Sequence, residues 1–489
     1  MKKQCLLFVA LLSVLFAAAS SALAQSERPN GKEKESSQAK ALAFTHVTII
    51  DVAARDSRRA LKPNQTVVVT GDRITEVGGK VRMPRGAQVI DASGQYFIPG
   101  LWDMDVLATA TVFPFYVVNG VTGVRDIGSP RPIAALLDIR KDAAAGRLVA
   151  PRIVATGRPL DGPFPGRQHH TRVANEVAAR QGVVTLKQSG ADFVAVFDML
   201  PREAYFAVVD EAKRQNIPFA GSVPMSLNAA EVSNAGQQSI ERLPTMLPSC
   251  SNRAEEIINK YADVLRAPTA PPQGFRVPWQ TLLDTYDTKR AAALFSILAK
   301  NGTFVTPMLG HWANVHLDFE TDHTNDPRMK YLLPALKQFW ASSQGRFEKE
   351  FEQTRESSQA VTEKFLEMVK AMNSAGVRLL AGSGTPGHPF EWPGFSLHEE
   401  LEWLVKAGFT PIEALQAATL NPARYLGKEK ELGTVERGKL ADLVLLDANP
   451  LEDIRNTQRI AAVVANGRYM DKSELQRMLS ELEAAANRK

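Results

Sequence analysis

Eight short apolar runs recur between residues 97 and 382, most of them separated by stretches of helical periodicity. They are Phe97–Val106, Gly120–Ile127, Arg152–Thr156, Asp192–Phe197, Ile217–Val223, Gln238–Leu243, Thr303–Leu309 and Val377–Gly382. Helical patterns such as Arg202–Gln215 and Thr288–Lys300 lie between them. Strands that alternate with helices pair in parallel through right-handed crossovers. Eight such repeats predict an α/β chain built on a (β/α)8 TIM-type barrel. A chain of 489 residues also exceeds one compact core, so a smaller domain is expected beside the barrel.

The flanks supply that domain. Phe44–Ile50, Gln65–Val69, Ile74–Val77, Gln88–Asp91 and Gln95–Ile98 read as strands at hairpin spacing, with turns at Thr70-Gly71-Asp72-Arg73 and Ala92-Ser93-Gly94. Leu432–Val435, Ala441–Leu446 and Ile460–Ala465 repeat the pattern near the end. Asn466-Gly467 there is a strong hairpin signal. The two sets are expected to form one small discontinuous β-sandwich from residues 41–98 and 430–472. The barrel then occupies 99–429, with a helical insertion at about 252–369 that includes Gln344–Arg355, and residues 473–489 carry a terminal helix.

The N-terminus differs from the rest. Lys2 and Lys3 precede an apolar run from Cys5 to Ala19, and Ala22-Leu23-Ala24 follows. That is the order of a secretory signal. The run is short for a membrane span, which needs about 20 residues. Residues 1–24 are therefore read as a signal peptide cleaved after Ala24, the protein as periplasmic or secreted, with no membrane span after cleavage. Residues 25–40 are polar and read as a flexible leader. The formal charge of +5 falls to +3 without Lys2 and Lys3, and no dense basic block stands out, which excludes nucleic acid as a partner. Cys5 leaves with the signal. Cys250 then has no internal disulfide partner and reads as a buried apolar residue rather than a nucleophile.

Several segments in order resemble the amidohydrolase superfamily, and within it the imidazolonepropionase-like branch that includes Xaa-Pro dipeptidases. They include Gly71-Asp72-Arg73-Ile74, Val89-Ile90-Asp91-Ala92-Ser93-Gly94, and Pro99-Gly100-Leu101-Trp102-Asp103-Met104. Gly120-Val121-Thr122 with Val124-Arg125-Asp126, Leu397-His398-Glu399-Glu400, and Asn421-Pro422-Ala423 continue the series, which ends in Gly438-Lys439-Leu440-Ala441-Asp442. The resemblance runs from about residue 41 to 470. It implies hydrolysis of carbon–nitrogen bonds by one or two divalent metals, such as zinc, at the C-terminal mouth of the barrel.

The residues at the metal-ligand positions that the resemblance implies depart from the family. Asp105 and Leu107 take the His-x-His positions after strand one, and Ala195 takes the lysine position after strand four. Ser222 and Arg242 take the histidine positions after strands five and six, and Gly384 takes the aspartate position after strand eight. Leucine, alanine and glycine side chains do not ligate, and arginine is a fixed cation. A zinc site needs at least three protein ligands. No metal and no other cofactor is therefore expected, and the chain reads as a pseudo-enzyme, with no catalytic residue assigned. Asp103, Asp105, Arg242, His311 and His388 are the expected pocket residues, with Arg242 paired to Asp105 or Asp103.

The other histidines and the aromatics read more plainly. His169, His170, His311 and His388 fall on loops facing the mouth, yet none shows a ligand spacing. His398 reads as a helix-packing residue, and His46, His316 and His323 as structural or exposed. Trp102, Trp312, Trp340, Trp392 and Phe390 read as core or lid packing. Gly382-Ser383-Gly384 lacks the residues of a phosphate loop, and no base is visible beside Ser222 or Ser383. The expected function is non-hydrolytic binding of a small molecule, peptide or partner at the barrel mouth, with an oligomer compatible with the sequence. The alternative is a metal-dependent hydrolase whose ligands have moved to His169, His170, His311 and His388 with Asp105.

Overall fold

The computed structural model describes residues 41–487 apart from 108–109, 165–168, 268, 272–274, 318–324, 333, 335–336, 339 and 341–354. The expected signal and leader lie outside the described residues, as do His323, the side chain of His316 and all but the last residue of the helix expected at 344–355. The chain opens with five strands, β1 (Leu42–Ile50), β2 (Leu61–Thr70), β3 (Arg73–Gly78), β4 (Gln88–Asp91) and β5 (Tyr96–Pro99). β1 pairs antiparallel with β2 and parallel with β4 and β5.

Gly100 then turns the chain from one sheet into another. A Cβ there would collide with the side chain of Thr122, so only glycine passes. The expected single strand Phe97–Val106 is therefore two strands serving different sheets. β6 (Leu101–Val106), β7 (Val121–Asp126) and β8 (Arg152–Ala155) form a parallel three-stranded sheet. β9 (Leu160–Asp161), β10 (Thr171–Arg172), β11 (Val194–Val196), β12 (Phe219–Gly221), β13 (Ser239–Glu241) and β14 (Phe304–Thr306) form a second, also parallel.

The assigned sheets are open, and single backbone bonds span the gaps. The eighth expected strand carries only the parallel bridge Val305–Leu379. The Leu380 amide donates to the Val305 carbonyl and the Met104 amide to the Ala381 carbonyl, both at 2.9 Å, so residues 379–381 lie between β14 and β6. On the other side the Asp192 amide donates to the Ala155 carbonyl at 2.8 Å. This is the α/β barrel architecture expected from the strand–helix alternation. Its helices include Arg202–Arg214 and Thr288–Asn301, within a residue of the expected bounds. The insertion is split around β14, with helices Ala254–Arg266 and Trp279–Asp284 before it and Arg355–Ser374 after it.

β15 (Leu443–Leu446), β16 (Ile460–Ala465) and β17 (Arg468–Asp471) return to the first sheet. β15 runs antiparallel to β5, Leu443 opposite Pro99 and Leu446 opposite Tyr96, giving the order β17-β16-β15-β5-β1-β2-β3 with β4 beside β1. Phe44, Phe97, Leu445 and Val464 from four of these strands fill one core, so the sheet wraps around it. Asn466 and Gly467 both have positive φ, 51° and 76°, as a two-residue hairpin turn requires. Leu432–Val435 forms no strand. Gly433 there adopts φ 87° against Ala423, a left-handed turn that an extended run cannot contain. The terminal helix spans Lys472–Ala486, capped by Asp471.

Candidate functional site at the barrel mouth

Barrel active sites form where strands end and loops begin. Strand one and the eighth segment are stitched together at that level. The Leu107 amide donates to the Thr385 carbonyl at 2.9 Å, and the Gly384 amide to the Asp105 carbonyl at 2.8 Å. Asp103 accepts from the Ser383 amide at 2.9 Å and from the Ser383 hydroxyl at 2.5 Å. The chain continues through Thr385 Oγ1, 2.7 Å from Ser383 Oγ and 2.8 Å from the Tyr116 hydroxyl. Burial pushes the Asp103 carboxyl up to about 7 against the pull of these donors.

The positions implied as metal ligands are occupied as follows. Asp105 is buried. Ala195 sits in an apolar cluster with Ile127, Phe193 and Ala220. Ser222 is fully buried, and its hydroxyl has no hydrogen-bond partner among the described residues. Gly384 has φ 76°, and a Cβ there would lie 2.6 Å from Met308 Cε and 3.2 Å from His311 Nδ1. Met308 and His311 thus fill the volume where an aspartate side chain would begin. Among the described residues, no group of three or more histidine, cysteine, aspartate or glutamate side chains has the arrangement of a metal site.

The cation facing Asp105 is not the expected one. Arg242 turns elsewhere, its guanidinium 4.4 Å from the Phe197 ring centroid and its charge acting on Asp198. The arginine in the field of Asp105 is Arg125, on β7, fully buried inside the barrel. Its Nε donates to the Met104 carbonyl at 2.7 Å, Nη1 to Ser239 Oγ at 2.8 Å and Nη2 to Glu241 Oε1 at 2.5 Å. The Tyr425 ring lies 4.7 Å away. Burial works against the Arg125 charge, but Tyr425, Glu241 and Asp105 outweigh it and raise the pKa above the usual arginine value. The sequence signal was the charged pair Arg125-Asp126 closing a strand that is buried along its whole length.

Beside this seam lies a cavity of about 410 Å³, within the range of small-molecule sites. Arg242, His311 and His388 line it, but Asp103 and Asp105 do not, so the five expected pocket residues divide between two places. The short β9–β10 ladder sets His170 beside Asp161, Nδ1 to Oδ2 at 2.9 Å, and leaves His170 Nε2 buried without a hydrogen-bond partner among the described residues. His169 turns to the Gly128 carbonyl at 3.1 Å. His311 Nδ1 contacts Glu391, and the His388 ring lies 5.0 Å from that of His311. Two histidine–carboxylate pairs thus border one cavity. The sequence reading missed Asp161, which ends the two-residue strand β9, and Asp198, Glu391 and Arg276, which are loop residues without a motif.

The aromatics also divide. Trp312 lines the cavity together with Trp279, while Trp102 packs over Gly123 in the core. Trp340 and Trp392 form a separate cluster with Phe390 nearby. His398 is buried, bonded to the Asn119 carbonyl and Thr457, and His46 contacts Asp91 at the surface. Cys250 is buried, and burial pushes its thiol up to about 12.

The amidohydrolase family model matches residues 313–470. Ochratoxinase from Aspergillus niger is 36% identical over 107 residues, 22% of this chain and 21% of that protein. Bottromycin amidohydrolase superposes over 91% of both chains with a TM-score of 0.70 at 24% identity. A Xaa-Pro dipeptidase superposes over 88% of this chain and 100% of its own, with a TM-score of 0.61 at 19% identity. Residues 313–470 thus match the amidohydrolase family model, and the described chain shares the fold of these solved structures. The curated relative is matched over only about a fifth of its length. The solved structures show the family's barrel with its accompanying β domain.

Proposed function

We propose that this protein is an exported, metal-independent member of the family that binds a small molecule at the barrel mouth rather than hydrolysing it. One observation carries the reading. At the level where the family holds its metals, Met308 and His311 fill the volume where an aspartate side chain at position 384 would begin, and the barrel beneath holds the Arg125 guanidinium. Of the implied ligand positions only Asp105 offers an anionic donor, and it lies in the field of that guanidinium. One carboxylate beside a fixed cation is a poor donor set for a divalent ion. The residues present do not fit the family's metal. The relocated-ligand alternative gains no support, since among the described residues the four histidines and Asp105 form no group of three that could hold a metal ion.

Calorimetric titration with zinc and with manganese tests this. The expected result is no saturable heat at the mouth, and wild type and Asp105→Asn indistinguishable. Saturable uptake of one ion per chain that Asp105→Asn abolishes would overturn the proposal. Export rests on the Lys2-Lys3 start, the apolar run and Ala22-Leu23-Ala24. It predicts a mature protein beginning at Gln25, read by N-terminal sequencing.

A further inference from the structure

Seven non-glycine residues have left-handed backbone among the described residues, and four of them are asparagine or histidine, which tolerate it. The other three, Arg242 (φ 72°), Met308 (φ 55°) and Phe390 (φ 64°), all follow barrel strands at the mouth. Backbone held in such a state has to be enforced by its surroundings, and it clusters at binding sites. Arg242 is held by its amide, which donates to the Thr306 carbonyl at 3.1 Å. The strained conformation, with the side chain laid over Phe197, commits a guanidinium to the cavity.

That guanidinium has no hydrogen-bond acceptor among the described residues. The nearby carboxylate, Asp198, is already taken by Arg276 at 3.0 Å. Burial raises the Asp198 pKa, but Arg276 and Arg242 together offset it and hold the carboxyl below its usual value, so it remains an anion beside two cations. The lining also includes the apolar side chains of Val223, Met225, Leu227, Trp279, Leu282 and Trp312. An arginine fork in a cavity that also carries apolar lining suits a carboxylate on a compact hydrophobic body.

We infer that Arg242 is an anion-binding residue, and that the mouth cavity takes small amphipathic carboxylates, with the carboxylate on the guanidinium and the apolar body against the Trp279–Trp312 side. This rests on the metal-independent reading above and names its ligand class. It also gives a role to the residue at the strand-six histidine position. A cation stands where the family places a metal ligand, and here the cation itself meets the negative group.

The test is calorimetry on the full mature chain with two probes of nearly equal shape, 3-phenylpropanoate and 3-phenylpropanamide. The acid is expected to bind at least about tenfold more tightly than the amide, the range of one charge-assisted contact. Arg242→Met, checked for native circular dichroism, is expected to lose that preference, and Arg242→Lys to retain part of it. Equal binding of acid and amide, no binding of the acid, or a preference that survives in Arg242→Met would each overturn the inference. The failure modes are distinguishable. If the acid binds only when a divalent ion is present and a chelator removes it, the metal-independent reading fails. If the chain takes up no metal and the acid still does not bind, only the ligand assignment fails.

Discussion

Replacing Arg125 with methionine isolates the buried cation inside the barrel. Methionine keeps much of the volume but removes the guanidinium bonds to the Met104 carbonyl, Ser239 and Glu241. Glu241 is buried, and its Oε2 already lacks a hydrogen-bond partner, so the variant leaves a carboxylate inside the barrel with no counter-charge. Breaking a buried pair from one side costs about 3–5 kcal/mol. For a unit of roughly 450 residues the unfolding entropy is about 0.9 kcal/mol/K, so the melting midpoint should fall by about 3–5 °C. The double variant Arg125→Met/Glu241→Met removes both charges and should recover most of the loss, as apolar replacement of whole buried pairs does. Urea unfolding followed by circular dichroism measures both. A loss below about 1 kcal/mol in the single variant, within the range of an exposed pair, would refute the assignment of Arg125 as a structural cation. So would a double variant as unstable as the single.

Three other outcomes follow from the same geometry. His398 is buried and its pKa is pushed down to about 4, below the ordinary 6.5. Its contribution is therefore complete above pH 6.5 and is lost as pH falls toward 4, by about 3 kcal/mol. His398→Gln should flatten that acid limb in urea midpoints taken across the range, and an unchanged slope would contradict it. Gly384→Asp restores the residue type that the resemblance implies, but it needs a Cβ at φ 76° against Met308 and His311. It should lower stability by about 1–3 kcal/mol without gaining zinc affinity, as read by thermal melts with and without zinc. Cys250, with its thiol pushed up to about 12, should resist alkylation by iodoacetamide in the native state and react on unfolding, as mass spectrometry would show.

The barrel was legible because strand–helix alternation is a local signal repeated many times, and the helix bounds at Arg202 and Thr288 followed from it. The Asn466-Gly467 hairpin was legible for a different reason, since that dipeptide suits two positive φ angles. What was lost depended on contacts distant in sequence. Gly100 splits one apolar run into two strands only because Thr122 lies across from it. Leu432–Val435 reads as a strand until Ala423 is seen against Gly433. At the mouth, the substituted positions could be read from flanking residues, but the partner of Asp105 could not. Arg125 acts on it only through its field, from another strand 20 residues away in sequence, while Arg242 is turned aside by its own backbone. The histidine–carboxylate pairs were equally hidden, because Asp161 and Glu391 acquire meaning only through the loops that bring them to His170 and His311.

Elemental analysis of the protein, purified without chelator from zinc- and manganese-supplemented culture, bears most directly on whether the mouth is a metal site. The account predicts metal far below one ion per chain, and the same low content in Asp105→Asn. One tightly held divalent ion per chain, lost from Asp105→Asn and retained in a variant altered at Cys250, would contradict it.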